Sequence, residues 1–291
     1  MAASDTSGVR PAATDSTDAV QGHYDRLDRF YRQLWGEHVH HGLWTDPART
    51  PPAAVRHLVR RVAEAARLEP GRVVWDMGCG YGAPARLWAR EYGASVLGYT
   101  VSAAQYDYAR RQPAPEPAPD YRLQDVLEND LPSASVDAAV ALESLTHMAD
   151  PAAALREAAR VVRPGGRVVA CVWMAAANPS PAAQRSLLAP ICREGRLSGL
   201  PTASTLAGWV RAAGLSIVAL DDWTPFVRRT WTIVLRRFAR ALCTEPALWR
   251  TLLDATESER VFARTLLRIW WAQHSGVLRY GWLVAERPEA G

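Results

Sequence analysis

The chain is predicted to fold as an α/β domain with a mostly parallel sheet and helices on both of its faces. The alternation of short patterns along the chain predicts this class, and the length and composition are compatible with it. Short apolar runs alternate with helical patterns between residues 72 and 174, and strands that alternate with helices are typical of parallel sheets, because each parallel connection needs a crossover. The length of 291 residues, with 48% hydrophobic and 22% charged residues, is ordinary for a globular protein and supports a sizeable core.

The sequence divides into four regions. Residues 1–19 are rich in Ala, Ser, Thr and Asp, so we expect a disordered tail that cannot offset its own ordering entropy. Residues 20–67 are aromatic and amphipathic, and residues 52–67 repeat apolar side chains at the spacing of a helix with one buried stripe. Residues 68–175 contain the alternating runs, and residues 176–291 are expected to complete the sheet and to add helices.

The boundaries of the predicted elements carry recognisable signals. In chain order, the signals are Gly93 at the end of a helix, the capping box of Ser102 and Gln105, Asp150-Pro151 at the start of a helix and Pro164-Gly165-Gly166 at its end. Beyond Met174 the pattern predicts a helix near 202–213, a strand over 215–223, two helices near 230–272 and a final strand over 276–287. Most aromatic side chains of those last helices are expected to pack in the core, and the rest are available to line an apolar pocket.

The basic residues exclude several classes of protein. All 34 are arginine, and the formal net charge is +4. A chain without lysine forms no Schiff base and lacks the phosphate-binding lysine of a P-loop, so pyridoxal enzymes, lysine aldolases and Walker-type NTPases are excluded. The longest basic clusters are pairs such as Arg60-Arg61 and Arg228-Arg229. Because nucleic-acid binders concentrate basic charge on one face, we expect no nucleic-acid partner.

Targeting signals and cysteine spacing indicate the compartment. No run approaches the roughly 20 apolar residues of a membrane span, and the first residues lack the apolar stretch of a signal peptide. The four cysteines, Cys79, Cys171, Cys192 and Cys243, form no CxxC pair, so neither a zinc knuckle nor a disulfide framework is predicted. We therefore expect a chain that has no membrane partner and works in the reducing cytoplasm.

A glycine-rich loop follows the first strand predicted for the alternating region. In VVWDMGCGYG, residues 73–82, an apolar strand ends at Asp76, and glycines follow at positions 78, 80 and 82. Glycines at alternate positions let the backbone turn tightly and approach a ligand without an intervening Cβ. The spacing differs from the G-x-G-x-x-G of dinucleotide-binding loops, and a carboxylate before the first glycine attracts a cation and repels a pyrophosphate. The loop therefore predicts a ligand that is positive at this end, which disfavours a nicotinamide oxidoreductase.

With this loop, an acid followed by G-x-G-x-G, the sequence resembles the class I S-adenosylmethionine-dependent methyltransferases. Three further motifs of that family occur in the right order, GYTVSAAQ at 98–105, LQDV at 123–126 and RPGG at 163–166. The resemblance implies a Rossmann-like, doubly wound, mostly parallel seven-stranded sheet with its cofactor-binding core at residues 68–175. It also implies S-adenosyl-L-methionine as the cofactor and S-adenosyl-L-homocysteine as the product.

The rest of the chain resembles one group within that family, the tocopherol C-methyltransferase group, which includes plant alkaloid N-methyltransferases and bacterial natural-product methyltransferases. Five features carry this likeness: HYD at 23–25, H-x-G-x-W from His40 to Trp44, ESLTHM at 143–148, Trp173 and DDWT at 221–224. The likeness covers almost everything after residue 22. It implies that residues 20–67 form an N-terminal helical lid and that residues 176–291 add substrate-binding helices over the C-terminal edge of the sheet.

The resemblance also implies a set of residues around the cofactor. They are Tyr24, His40, Trp44, Asp76, Gly78, Cys79, Gly80, Gly82, Tyr99, Thr100, Gln105, Gln124, Asp125, Val126, Leu142 and Glu143. Within this set, Asp76 is expected near the methionine amino group and Asp125 at the adenine amino group. Many relatives carry an acid for the ribose hydroxyls where this chain has Tyr99-Thr100, so Thr100 and Gln105 are expected to make those contacts.

Some of these residues have a second interpretation. Glu143 is expected either to contact cofactor or substrate or to cap the turn after its strand. From the residues alone, Tyr24 and Trp44 are equally well core aromatics. The histidines at 38, 40 and 41 have no spacing that lets all three converge and no cysteine beside them, so no metal site is predicted.

His147 is the candidate base. Methyl transfer asks for alignment, exclusion of water and removal of the acceptor's proton, because the sulfonium already activates the methyl group. His147 follows the fourth predicted strand, at the sheet edge where such folds bind ligands, and an imidazole with an ordinary pKa of about 6.5 suits a general base. Relatives with an ES-x-x-H-M run use this histidine near the acceptor. The alternative is a loop histidine that only hydrogen-bonds the chain.

The acceptor is expected to be a small, flat, largely apolar metabolite. Thr146 stands where some sugar O-methyltransferases carry a second histidine, and Trp173 replaces an acid found in some of them. Tyr24, Trp173, Trp223 and Phe226 are expected to contact this substrate. A hydroxyl acceptor is narrowly favoured because a histidine base is present, and N- or C-methylation stays open.

The leading function is therefore methylation of such a metabolite in natural-product biosynthesis. One alternative is a nonmethylating relative that keeps the cofactor site and uses its pocket for rearrangement or binding. A second is a nucleic-acid methyltransferase, which is disfavoured because the chain lacks the Asn/Asp/Ser-Pro-Pro-Tyr/Phe motif and a concentrated basic surface.

Overall fold

The computed structural model of the chain describes residues 36–46, 49–244 and 257–289, together with residues 9 and 22. Its strands, in chain order, are β1 (Val73–Met77), β2 (Ser95–Thr100), β3 (Asp120–Leu123), β4 (Val136–Leu142), β5 (Val162–Ala175), β6 (Ser216–Asp222) and β7 (Leu278–Glu286). Its α-helices are α1 (Pro51–Ala65), α2 (Ala83–Tyr92), α3 (Ala103–Arg111), α4 (Pro151–Val161), α5 (Pro181–Ala183), α6 (Ala189–Glu194), α7 (Ala203–Ala212), α8 (Thr224–Val227), α9 (Arg229–Thr244) and α10 (Glu257–His274). Two 3-10 turns, Val126–Glu128 and Leu145–His147, follow β3 and β4, and a π turn, Gln184–Leu188, joins α5 to α6.

One seven-stranded sheet organises these elements, with the strand order β3-β2-β1-β4-β5-β7-β6. In this spatial order, each of the first five strands, β3, β2, β1, β4 and β5, pairs in parallel with its neighbour within this set. The strand β7 pairs antiparallel with both β5 and β6. The order reverses at β1, which lies between β2 and β4. In open sheets of this kind, ligands bind beyond the carboxyl ends of the strands at such a switch point. The predicted Rossmann-like, mostly parallel sheet is confirmed.

The helix boundaries follow from local chemistry. Gly93 ends α2 with a φ of 64°, a left-handed conformation that glycine adopts without steric cost. The Ser102 hydroxyl accepts a hydrogen bond from the Gln105 amide, and Asp150 accepts from Ala153 in the same way, as expected of helix N-caps. The capping box is half formed, because the Gln105 side chain accepts from the Thr100 hydroxyl instead.

The end of α4 differs from the sequence prediction. The helix ends at Val161, and β5 begins at Val162, before Pro164-Gly165-Gly166. The pairing of β5 with β4 then shifts between Val162 and Arg167, so the proline and glycines form a bulge within the strand. Proline disfavours helical backbone in the residue before it, which accounts for the earlier end.

Two buried clusters lie on opposite faces of the sheet. Successive side chains of a strand point to opposite faces, so Trp75 packs with α4 and α7 while Val74 packs with α1 and α2. A third cluster joins α6 to the helices α9 and α10, with Trp231 among its buried members. This third cluster sits at the end of β5 and therefore beside the carboxyl edge of the sheet.

Part of the predicted N-terminal region lies outside the described residues. Of the predicted tail at 1–19, only residue 9 is described, and Val9 pairs with Leu200 in an isolated β-bridge. Tyr24 falls outside the description. Of the predicted lid, residues 36–46 are described as irregular chain ahead of α1. Across the parts of the chain that the structure describes, no helix is both long and apolar enough to cross a bilayer.

Candidate functional site

A cleft opens at the carboxyl edge of the sheet, where β1, β2 and β4 end side by side. It encloses about 790 Å³ of empty space including its open mouth. Its lining consists of Val39, Gly78, Gly80, Tyr99, Thr100, Val101, Gln105, Gln124, Asp125, Val126, Leu142, Glu143, Ser144, His147, Met148 and Ala149. Most of the residues expected at the cofactor thus converge here with His147. Sequence reasoning did not select Val39, Val101, Ser144, Met148 and Ala149. Val101, Ser144 and Met148 lie inside the motifs GYTVSAAQ and ESLTHM, whereas the signal for Val39 and Ala149 was their position next to those motifs or to predicted residues.

The loop after β1 presents bare backbone to this cleft. The amides of Gly78 and Cys79 donate to the carbonyl of Tyr99, at 3.0 and 2.8 Å, which fixes the loop against β2. Gly78 has a φ of 103°, and a Cβ there would lie 2.4 Å from the Cβ of Ser144. Gly80 has a φ of 54°, and no atom lies within 4 Å of the position its Cβ would take. Gly80 therefore leaves room for a ligand against the main chain.

Cys79 and Gly82 belong to the same loop but do not line the cleft. Cys79 is buried, and burial raises the pKa of its thiol well above the usual value. Gly82 precedes α2, and its carbonyl accepts a hydrogen bond from the Tyr121 hydroxyl at 3.1 Å.

Asp76 is a buried acid near the end of β1 and, like Cys79 and Gly82, is not among the residues that line the cleft. Its side chain is 1% exposed, and its Oδ2 atom has no hydrogen-bond partner among the described residues. Burial raises the pKa of Asp76 to about 7. A buried carboxylate without a partner is costly, so the position favours a ligand that brings a cationic donor. The amino group of S-adenosylmethionine supplies such a donor, and the residues present therefore fit this cofactor.

Polar side chains from the end of β2, from α3 and from the segment after β3 also line the cleft. The Thr100 hydroxyl donates to Gln105 Oε1 at 2.9 Å. Asp125 Oδ1 accepts from the Leu127 amide at 2.9 Å and so caps the 3-10 turn after β3. The side-chain amide of Gln124 donates to the carbonyl of Glu128 at 2.8 Å, across the same turn.

Glu143 is the most heavily bonded acid at the cleft. Its Oε1 accepts from the His41 amide and from the Tyr280 hydroxyl, both at 2.7 Å, and its Oε2 accepts from His41 Nδ1 at 2.9 Å and Trp173 Nε1 at 3.2 Å. Burial alone would raise the pKa of Glu143, but the interactions with His41 outweigh it and lower the pKa to about 2. These bonds link distant segments of the chain and do not cap the turn after β4. Contact of Glu143 with cofactor or substrate stays a prediction, and Glu143 lines the cleft.

His41 is a site residue that sequence reasoning did not select. Its Nε2 atom accepts from Trp231 Nε1 at 2.7 Å and lies 3.1 Å from the side-chain nitrogen of Gln273. Because indole and amide N–H groups only donate, Nε2 is the acceptor and Nδ1 is the nitrogen that donates to Glu143. The ring therefore joins the N-terminal strap, which we define as residues 36–46, to β4, α9 and α10.

His40 and Trp44, expected to close over the cofactor, do not line the cleft. His40 is buried, and its Nε2 atom lies 3.1 Å from Nδ1 of His38. The Trp44 indole donates to the Thr230 hydroxyl at 2.9 Å, and the Arg229 guanidinium lies over the same ring. No group of three or more His, Cys, Asp and Glu side chains suited to hold a metal ion occurs within the described ranges.

The expected aromatic wall is not assembled at the cleft either. Trp173 packs edge-on against His41 and Trp231, at ring distances of 5.7 and 5.9 Å. Trp223 stacks on Trp282 at 4.1 Å, and Phe226 is 44% exposed. The substrate-contacting roles of these side chains therefore stay predictions, with no position in the cleft lining to support them.

His147 lines the cleft from the 3-10 turn after β4. Burial lowers the pKa of its ring to about 4, and a hydrogen bond to the Arg196 backbone acts in the opposite direction. The structure thus differs from the expectation of an ordinary imidazole. Near pH 7 the ring is neutral and able to accept a proton, although it is a weaker base than a solvated histidine.

The fold and this cleft define an α/β protein with a small-molecule cleft at the switch point of its sheet. Residues 75–170 match the family described as a methyltransferase domain. The 27-O-demethylrifamycin SV methyltransferase of Amycolatopsis mediterranei (strain S699) is 33% identical over 219 residues, which cover 74% of this chain and 80% of that protein. The chain therefore belongs to the S-adenosylmethionine-dependent methyltransferases, and its cofactor is S-adenosyl-L-methionine.

Two further comparisons extend over nearly the whole chain. The chloroplastic tocopherol O-methyltransferase of Arabidopsis thaliana is 24% identical over 305 residues, covering 95% of this chain and 85% of that protein. The crystal structure of the [4+2]-cyclase SpnF is similar with a TM-score of 0.80 and 25% identity, covering 98% of this chain and 100% of that chain. The recognition of this family from the sequence is confirmed, and the enzyme is of the natural-product or small-molecule type.

Proposed function

We propose that the enzyme transfers the methyl group to a hydroxyl of a small, uncharged, largely apolar natural product. The observation that carries this proposal is the position of His147, which lines the same cleft as the bare backbone of Gly78 and Gly80. A base and a cofactor loop in one cleft suit a proton-bearing acceptor held in line with the methyl group.

Residues of the cleft hold the cofactor in this proposal. The sulfonium of the bound cofactor supplies an activated methyl group. Asp76 accepts from the amino group, which gives its buried Oδ2 a partner, while the glycine loop takes the methionine part along its backbone. Thr100 and Gln105 face the ribose, and Asp125 faces the adenine amino group from the wall formed after β3.

The charge of the lining favours a neutral acceptor. Among the described residues that line the cleft, the charged side chains at neutral pH are Asp125 and Glu143, both acidic. An anionic acceptor would meet no cationic side chain among these lining residues, and the two carboxylates would repel it. Val39, Met148 and Ala149 add apolar surface beside His147, which suits a largely apolar molecule.

The comparisons support a hydroxyl acceptor. The relative from Amycolatopsis mediterranei is named for a 27-O-demethyl substrate, and the relative from Arabidopsis thaliana is named an O-methyltransferase. The likeness to a [4+2]-cyclase keeps one rival in view, an enzyme that binds the cofactor and rearranges a substrate without methylating it.

A labelled-methyl assay tests the proposal. The full chain is incubated with cofactor carrying an isotopically labelled methyl group and with an alkylated hydroquinone, a macrocyclic polyketide alcohol, a tertiary-amine precursor and an electron-rich arene. We expect the label on oxygen, in the hydroquinone or the alcohol. Label on nitrogen or carbon overturns the hydroxyl acceptor, and consumption of an acceptor without label supports the rearranging rival.

A further inference from the structure

The turn after α6 is hydrogen-bonded to the turn that carries His147. The Ser198 amide donates to the carbonyl of Thr146 at 2.8 Å, and the Ser198 hydroxyl donates to the same carbonyl at 3.0 Å. Thr146 is the residue before His147 in the 3-10 turn Leu145–His147, and it is buried. Two hydrogen bonds from a residue 52 positions later thus fix the backbone next to the candidate base.

Backbone hydrogen bonds hold the turn after α6 in one conformation. The amide of Leu197 donates to the carbonyl of Cys192 at 2.9 Å, and Arg196 has a φ of 54°. This is the pattern of a Schellman helix end, with Arg196 in the left-handed position usually given to glycine. Leu197 is buried in the third cluster, which anchors the turn to α9 and α10. These contacts therefore restrain the backbone from Arg196 to Ser198.

The same turn reaches the imidazole. Burial lowers the pKa of His147, and a hydrogen bond to the backbone of Arg196 raises it, which means that the ring donates to that backbone. Nδ1 of His147 is buried and makes no hydrogen bond within the described residues, so the donor is Nε2, and the bond selects the tautomer in which Nδ1 is the acceptor nitrogen. The turn thus touches the His147 segment twice, through Ser198 at the main chain and through Arg196 at the ring.

We propose that Ser198 is a positioning residue for the methyl transfer, holding the Leu145–His147 turn so that the His147 ring keeps one tautomer and one orientation in the lining of the cleft. The inference rests on the proposed function of this cleft. It gives the helical segment after β5 a role in the reaction besides covering the substrate. A misplaced base loses rate steeply with distance, so the loss of one of the two bonds is felt at the chemical step.

The variants Ser198→Ala, Ser198→Thr and Ser186→Ala separate this role from a structural one. Ser198→Ala removes the hydroxyl bond and keeps the amide bond, and Ser198→Thr restores a hydroxyl. Ser186→Ala is the matched control, because the Ser186 hydroxyl donates to the carbonyl of Ala182 at 2.8 Å on the exposed side of the same helical segment.

The first measurement needs no acceptor. The ring-nitrogen shifts of His147 are recorded by NMR at neutral pH in isotope-labelled full-length protein with S-adenosylhomocysteine as the probe, and the signal is assigned with His147→Ala. We expect one fixed tautomer in the parent, in Ser198→Thr and in Ser186→Ala, and averaged shifts in Ser198→Ala.

The second measurement is kinetic, with the alkylated hydroquinone as acceptor. We expect Ser198→Ala to lower kcat roughly tenfold while the KM for the cofactor stays the same. The double variant His147→Ala/Ser198→Ala is expected to be no slower than His147→Ala, because the serine acts through the histidine. An additional loss in the double variant would overturn the proposal.

The outcomes are separable from the proposed function. If Ser198→Ala melts at a lower temperature but keeps the parent's His147 tautomer, the serine is structural and the positioning role is overturned. If the parent methylates no acceptor, the proposed function fails, and the tautomer comparison still decides whether Ser198 positions the ring.

Discussion

At the scale of single residues, Asp76 combines burial with an unpartnered oxygen, and this combination has a measurable pH signature. Burial raises the pKa of Asp76 from 3.8 to about 7, so between those values the folded carboxyl holds a proton that the unfolded one has released. The free energy of unfolding contributed by this group therefore falls as the pH rises through that window.

Asp76→Asn is expected to remove that dependence and to weaken the cofactor. A hydrogen bond to a charged group contributes roughly 1.5–3 kcal/mol, so affinity for S-adenosylhomocysteine should fall about tenfold or more by calorimetry. The cofactor-free variant should be at least as stable as the parent at pH 7 in denaturant unfolding. Asp107→Asn, on the exposed face of α3, is the control. Parent-like affinity in Asp76→Asn would refute the assignment of this acid.

His147 leads to a prediction about the pH dependence of the rate. Because burial lowers the pKa of His147 to about 4, the ring is already deprotonated well below neutral pH. We expect kcat to be flat near neutrality as far as this group is concerned and to fall as the pH drops toward about 4. His147→Ala should lower kcat about 10²-fold with an alcohol acceptor and leave cofactor affinity unchanged. The exposed His274→Ala is the control, and a near-parental kcat in His147→Ala would remove the base from the mechanism.

At the scale of elements, the N-terminal strap depends on Glu143. Its φ of 59° is left-handed, which costs a side-chain-bearing residue about 1 kcal/mol, and the hydrogen bonds to both carboxylate oxygens offset that cost. Glu143→Gln replaces one acceptor oxygen by an NH₂ group that faces donors from His41 and Trp173 or Tyr280.

The free energy of unfolding of Glu143→Gln is therefore expected to fall by roughly 1–3 kcal/mol. Hydrogen exchange across residues 36–46 should be faster than in the parent, because the tie to β4 is broken. The exposed Glu64→Gln serves as the control. Unchanged exchange in the strap would mean that the other contacts, such as those of Gly42 and Trp44 with Thr230, hold it alone.

Truncation tests the strap as a part of the active site. Removal of residues 1–19 deletes the Val9 bridge to Leu200 and should leave activity unchanged. Removal to about residue 45 should abolish activity, because it deletes Val39 from the cleft lining and the partner of Glu143. Activity that survives the longer truncation would show that the strap is dispensable.

At the scale of the whole molecule, the sheet and its carboxyl-edge cleft were predictable because the local sequence pattern indicates each strand and each helix cap. Asp76, Gly78 and Asp125 occupy strand ends that the alternating pattern already locates. The ties through Glu143 were not predictable in this way, since His41 and Tyr280 lie 102 and 137 positions from it. Periodicity shows that an aromatic side chain is buried but not against which partner, and so Trp223 was expected at the cleft and is stacked on Trp282.

The pKa of His147 could not be predicted for the same reason. An isolated loop histidine suggests an ordinary imidazole, whereas this one is buried and hydrogen-bonded to the backbone of Arg196, the residue before Leu197 of the third cluster. Elements after β5 thus affect the pKa of a residue that follows β4.

The central claim is that one cleft, at the ends of β1, β2 and β4, holds the cofactor against Asp76 and Gly80 and the acceptor against His147. A crystal structure of the complex with S-adenosylhomocysteine tests it most directly. The account predicts the amino group within hydrogen-bond distance of Asp76 Oδ2, the methionine part along Gly78–Gly80 and the sulfur facing the space beside His147. A cofactor bound outside this cleft, or one whose sulfur is walled off from His147, would contradict it.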